Sequence, residues 1–95
     1  MTRSTSLVKT SAPTRLINRV CRHWRNMFPV SFDNQNGEIA LGLGHCSMRV
    51  NNVGLRVDLQ AENAENLSRL EGVVAIHLQR MAGNEELCFN WERQP

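Results

Sequence analysis

The sequence predicts an α+β fold with elements in the order α-β-β-β-β-α-β, a mainly antiparallel five-strand sheet and helices packed on one face. Three observations carry that reading. Apolar residues recur at every second position in Ile39, Leu41 and Leu43, in Met48 and Val50, and in Val53, Leu55, Val57 and Leu59, the period of strands with one buried face. From Asn63 to Ala82 the spacing of Leu67, Leu70, Val74, Leu78 and Met81 changes to threes and fours, so a long helix lies across the sheet. Beyond Gly83 and Asn84, Leu87, Phe89 and Trp91 alternate again, which returns the chain to the sheet for a last strand.

Each element has a local cause. Residues 1–10 are rich in Ser and Thr and poor in large apolar groups, the composition of a mobile tail. Thr10 or Ser11 is placed to cap a helix that Pro13 opens, since proline in a first turn gives up an amide that has no intrahelical partner. Leu16, Ile17, Val20 and Trp24 form its apolar side, the helix reaches about Asn26, and Pro29 stops it beyond Phe28. Phe28, Val30 and Phe32 lead into the turn Asp33-Asn34-Gln35-Asn36-Gly37, whose Asn and Gly residues tolerate positive φ. A strand from Glu38 to Leu43 follows, a bulge or bend at Gly42 and Gly44, a strand from Cys46 to Val50, a turn at Asn51-Asn52 and a strand from Val53 to Gln60. Residues 11–95 thus read as a single α+β domain.

Ninety-five residues bury one core and leave little material for a large enclosing cleft. No apolar run approaches the roughly 20 residues of a membrane helix. The first ten residues lack the apolar stretch of a secretory signal, which sets a cytoplasmic location as the expectation. Cys21, Cys46 and Cys88 are odd in number and show no Cys-x-x-Cys spacing, so reduced thiols are expected rather than a disulfide framework or a zinc ribbon. Charge is divided along the chain: Arg3, Lys9, Arg15, Arg19, Arg22 and Arg25 all precede Asp33, the first of nine carboxylates.

That division singles out Arg15, Arg19 and Arg22, with Arg25, on one side of the first helix. They suit an acidic protein partner, the acidic body of the same domain, or a homodimer. Few aromatics and no Tyr argue against nucleic-acid recognition. Glycine-rich phosphate loops, Gly-x-Ser-x-Gly and His-Glu-x-x-His are absent from the sequence. Helical spacing puts His23 and His77 on covered sides of their helices, and strand parity puts Cys46 inward with Met48 and Val50 while His45 points the other way. His23, Cys46 and His77, with Cys21 as a fourth member, form the candidate ligand set, of a donor type suited to zinc or ferrous iron. Against it stands plain core packing of the same groups. Trp24, Phe28, Phe32, Phe89 and Trp91 either fill the core or line a small-molecule cavity, and Glu71 with Arg56 is a candidate pair across helix and sheet.

Several strings also carry family character: Val20-Cys21-Arg22-His23-Trp24, Pro29-Val30-Ser31-Phe32-Asp33, Gly37-Glu38-Ile39, Gly44-His45-Cys46, Leu55-Arg56-Val57, Ala61-Glu62-Asn63-Ala64-Glu65, Leu70 to Leu78, Glu85-Glu86-Leu87 and Trp91. With these the chain resembles a family of small bacterial proteins, domain of unknown function 2218. The resemblance implies a common fold, and some members are joined to siderophore-interacting flavoproteins, which implies a link to iron handling. It also marks a departure: the histidine and lysine that commonly follow the His-Trp pair are here Asn26 and Met27. The expected function is a non-enzymatic accessory or binding domain with no cofactor specified. The alternatives are a small metal-dependent or redox enzyme built on the His/Cys cluster, and an interaction module that uses the basic helix.

Overall fold

The computed structural model describes residues 1–94. They form β1 (Thr2–Lys9), α1 (Pro13–Trp24), β2 (Val30–Phe32), β3 (Asn36–Leu41), β4 (Gly44–Val50), β5 (Gly54–Ala61), α2 (Ala64–Met81) and β6 (Glu92–Gln94). The strands make one sheet in the order β2-β3-β4-β5-β1-β6, every neighbouring pair antiparallel. The fold is α+β as the sequence predicts, with six strands rather than five and a different element order.

The extra strand is β1, where a mobile tail was expected. It pairs with β5 over its whole length, from Thr2↔Ala61 to Lys9↔Gly54. Its inward side chains are Ser4, Ser6 and Val8, all essentially inaccessible to solvent. Two serines in place of large apolar residues erase the alternation by which a strand is recognised. The expected last strand is also displaced. Leu87 is buried and Phe89 and Trp91 are half-buried, as their alternation implies, yet this stretch joins no ladder. Gln79 of α2 donates to the Glu85 carbonyl and accepts from the Leu87 amide, and the Asn90 amide donates to Ser6 Oγ. Side chains thus satisfy the backbone here, and only Glu92–Gln94 pairs with Arg3–Thr5.

Both helices lie on one face. α1 covers the β2, β3 and β4 side, α2 covers β5, β1 and β4, and the two helices touch each other. α1 buries Leu16, Ile17, Val20, Cys21 and Trp24, and α2 buries Leu67, Leu70, Val74 and Leu78. These meet Ile39, Cys46, Met48, Leu55, Val57 and Leu59 from the sheet. At about 1.5–3 kcal/mol for each fully buried large aliphatic or aromatic side chain, this layer supplies the main drive for folding.

The hairpin turns use side-chain acceptors rather than left-handed asparagines. Asp33 Oδ1 accepts from the Gln35 and Asn36 amides, and Asn51 Oδ1 accepts from those of Val53 and Gly54. The bend at Gly42 is a two-residue turn, Gly42-Leu43, closed by the pair Leu41↔Gly44. Asn63 caps α2 by accepting from the Asn66 amide at 2.8 Å. α1 ends at Trp24, short of Asn26, with the Met27 and Phe28 amides both returning to the Trp24 carbonyl.

Thr10 does not cap α1. Its hydroxyl donates to Glu85 Oε1 at 2.5 Å and accepts from the Ala12 amide, while Ser11 N donates to Glu85 Oε2. The Thr10 and Ser11 bonds, with the nearby Arg15 charge, hold the Glu85 carboxyl below the ordinary glutamate value of 4.5. A depressed carboxyl stabilises the fold above its unfolded pKa, and that contribution disappears as pH falls through the folded value. The stability gap between the native chain and Glu85→Gln is therefore expected at pH 7 and is expected to close below pH 4.5. Urea unfolding at the two pH values checks this; a gap independent of pH contradicts it.

Candidate functional site

Of the predicted ligand set, the fold brings two members together. The His23 and His77 rings lie 5.7 Å apart, tilted by 37°, and His77 also lies 4.9 Å from the Trp24 ring. Their spacing on two separate helices meets because α1 and α2 pack side by side. His77 Nδ1 is 2.8 Å from the Val73 carbonyl. A carbonyl only accepts, so Nδ1 carries the hydrogen, and the neutral ring presents its free lone pair at Nε2. His77 is half-buried and His23 exposed.

Cys46 stands apart in the core. It is inaccessible to solvent on β4, opposite Ile39 and Leu59. Burial, reinforced by the neighbouring Cys21, Glu38 and Asp58, pushes its thiol far up, and burial raises Cys21 to about 11. Both rest as thiols at neutral pH, a form that is not nucleophilic. Among the described residues no group of three His, Cys, Asp or Glu side chains is arranged to hold a metal.

The imidazole pair instead borders an apolar depression. Trp24, Met27 and Phe28 from the end of α1, Leu41, Gly42 and Leu43 from the β3–β4 turn, and Leu70, Val73 and His77 from α2 enclose about 450 Å³. Phe28, Leu43 and Val73 are half-buried, and Met27 is 59% exposed. Sequence periodicity identifies Trp24, Leu70 and His77. It misses Met27, in the turn after α1, and it assigns Leu43 to the end of a strand, whereas Leu43 lies in the β3–β4 turn. The available signal for Met27 was a large apolar residue beside the helix-ending Pro29, where polar ones are usual.

The three arginines are exposed on α1. Arg19 Nη1 donates to the Met81 carbonyl at 3.0 Å, at the end of α2, a favourable place for a cation. Arg15 acts on Glu85. Two of the three are thus directed at the same domain, and Arg22 has no ion pair among the described residues. The expected Arg56–Glu71 pair does not form, because Arg56 faces away from the helices. Arg56 pairs with Asp58, and Arg93 of β6 donates to both Glu71 carboxylate oxygens through Nε and Nη2, with Nη2 also bonding Ser68.

The other face of the sheet carries no helix. Register aligns its side chains in rows, one running Ala40, His45, Gln60, Arg3 and Gln94, the next Ser31, Glu38, Ser47, Asp58, Thr5 and Glu92. Glu38 accepts from His45 Nε2 at 2.6 Å and from Ser47 Oγ at 2.5 Å. Partial burial works to raise the Glu38 carboxyl, but these bonds and the charges of His45 and Arg49 outweigh it and hold it low. Asp58 accepts from Thr5 Oγ1 at 2.6 Å and Arg56 Nε at 2.9 Å. No helix is long and apolar enough to cross a membrane among the described residues.

The sequence model of a family described as uncharacterized protein conserved in bacteria, DUF2218, matches residues 5–92. The NMR structure of PA4090 from Pseudomonas aeruginosa superimposes with a TM-score of 0.77 at 35% identity, covering 97% of this chain and 96% of that one. No curated protein matches the chain.

Proposed function

Because the chain belongs to the DUF2218 family, which is described without an activity, we propose its function from surface chemistry alone: it is a non-enzymatic binding domain for a small apolar molecule that carries a hydroxyl group. The observation behind this reading is the 450 Å³ apolar depression with His77 in its wall. Apolar walls supply affinity by burial, and a single well-placed polar atom supplies orientation. The Nδ1–H bond to Val73 makes that atom an acceptor, so the preferred ligand is a donor such as a phenol. Aryl iron chelators with catechol groups have this chemistry, which is where the resemblance-based link to iron or siderophore metabolism meets the site. A cytoplasmic setting belongs to the same proposal, in keeping with three free cysteines.

The test uses 2-naphthol and naphthalene as probes, followed by NMR of the methyl groups of Met27, Leu43, Leu70 and Val73. Saturable shifts are expected with both, and 2-naphthol is expected to bind about 3–10-fold more tightly, the value of one net hydrogen bond. His77→Phe is expected to abolish that preference while naphthalene still binds. Absence of shifts at these methyls, or a preference that survives His77→Phe, contradicts the reading.

A further inference from the structure

We propose that the uncovered face of the sheet holds a second site, independent of the apolar depression, for the phosphate group of a small soluble molecule. The argument begins with register. His45, Gln60 and Arg3 occupy one row on the adjacent strands β4, β5 and β1. Neighbouring strands are about 4.8 Å apart, so the outer two stand about 10 Å from each other. Their side chains, with those of Thr5, Ser47, Arg56 and Asp58, surround a depression of about 300 Å³.

The hydrogen-bond inventory decides the sign of the ligand. The two carboxylates of this region are already engaged: Asp58 takes Thr5 and Arg56, and Glu38 takes His45 and Ser47. What stays unused is donor capacity. Arg3 makes no ion pair among the described residues, and the Gln60 amide donates to the Met1 sulfur. Arg56 spends its Nε and keeps its terminal nitrogens. His45 uses Nε2 toward Glu38 and leaves Nδ1, which becomes a further donor when the ring is protonated.

A surplus of donors around this depression suits an acceptor-rich anion. Phosphate offers several acceptor oxygens to donors arriving from separate strands, and arginine matches its geometry with two parallel bonds. The depression is too small for an extended polymer and is enclosed by side chains of single residues, which favours a free small molecule over a membrane or nucleic-acid backbone.

Inorganic phosphate is the probe, titrated against sodium chloride at matched ionic strength and read by backbone amide shifts. Saturable shifts are expected at Arg3, His45 and Gln60 with phosphate and not with chloride. Arg3→Gln is expected to weaken binding at least about tenfold, the scale of one lost charge-assisted bond. Lys9→Gln removes the same charge from the same strand outside the depression and is expected to change affinity less than about twofold, since exposed charges are screened. Equal losses in the two variants, or shifts that chloride reproduces, would overturn the proposal. So would co-sedimentation with phosphatidylglycerol vesicles without saturable phosphate binding.

Discussion

Gly54→Ala is expected to remove about 3–5 kcal/mol of folding stability, a large part of what a domain of this size possesses. Two costs combine. Gly54 has φ +149, a region closed to residues with a Cβ, at about 1–3 kcal/mol. An added Cβ would also stand 2.5 Å from the Val8 carbonyl oxygen and 2.6 Å from the Thr10 amide nitrogen. Both are backbone atoms of the neighbouring strand and its exit, so no side chain can rotate away, and overpacking adds about 1–3 kcal/mol. Gly42→Ala is the matched control, because its Cβ would meet nothing within 4 Å; a change within about 0.5 kcal/mol is expected there. Urea unfolding with an unchanged slope measures both. A Gly54→Ala cost below about 1 kcal/mol contradicts the account.

The same position shows why part of the fold was hidden. Gly54 is constrained by β1, a strand whose sequence reads as a polar tail. Two of its inward positions, 4 and 6, are serines, and a distant segment supplies a hydrogen-bond partner for Ser6. Ser6 receives the Asn90 amide, and Ser4 lies opposite Arg93 in register, which reaches back to α2. Such contacts come from residues more than eighty positions away, and local periodicity holds no record of them. By contrast, α2 and the β3–β4–β5 meander each carry their own amphipathic stripe, so they were legible. The terminal stretch was half legible. Alternation of Leu87, Phe89 and Trp91 correctly marks an inward and an outward side, but burial alternation alone does not specify whether a ladder or the side chain of Gln79 satisfies the backbone.

Legibility of the site follows the same division. Helical spacing predicts covered positions for both His23 and His77; His77 is half-buried but His23 is exposed, and the packing of α1 on α2 makes them neighbours. Strand parity places Cys46 inward, where it is inaccessible to solvent and burial raises its thiol. The apolar depression needed Met27, contributed by a turn whose path no period describes, and Leu43, which alternation marks as apolar but assigns to a strand. The row His45, Gln60 and Arg3 needed the register of three strands, one of them the unrecognised β1.

Trp24→Ala is expected to cost about 3–5 kcal/mol, the range for truncating a buried aromatic. Trp24 is the largest fully buried side chain, 2% exposed, and its ring packs against His77. The consequence for binding is separable from that for stability. Trp24 forms the floor on which Met27, Phe28 and His77 are held, so its loss leaves the depression without shape even where the chain still folds. Trp24→Phe keeps a ring beside His77 and is expected to retain both fold and 2-naphthol binding at reduced affinity. Trp24→Ala, measured below its own unfolding temperature, is expected to lose 2-naphthol binding at least about tenfold, or about 1.4 kcal/mol, because the ring against which His77 packs no longer holds that wall in place. Stability that falls while binding persists in both variants would assign Trp24 to the core alone and place the ligand elsewhere. A parallel fall, graded Phe before Ala, ties the packing of α1 on α2 to the shape of the site, because one side chain then sets both.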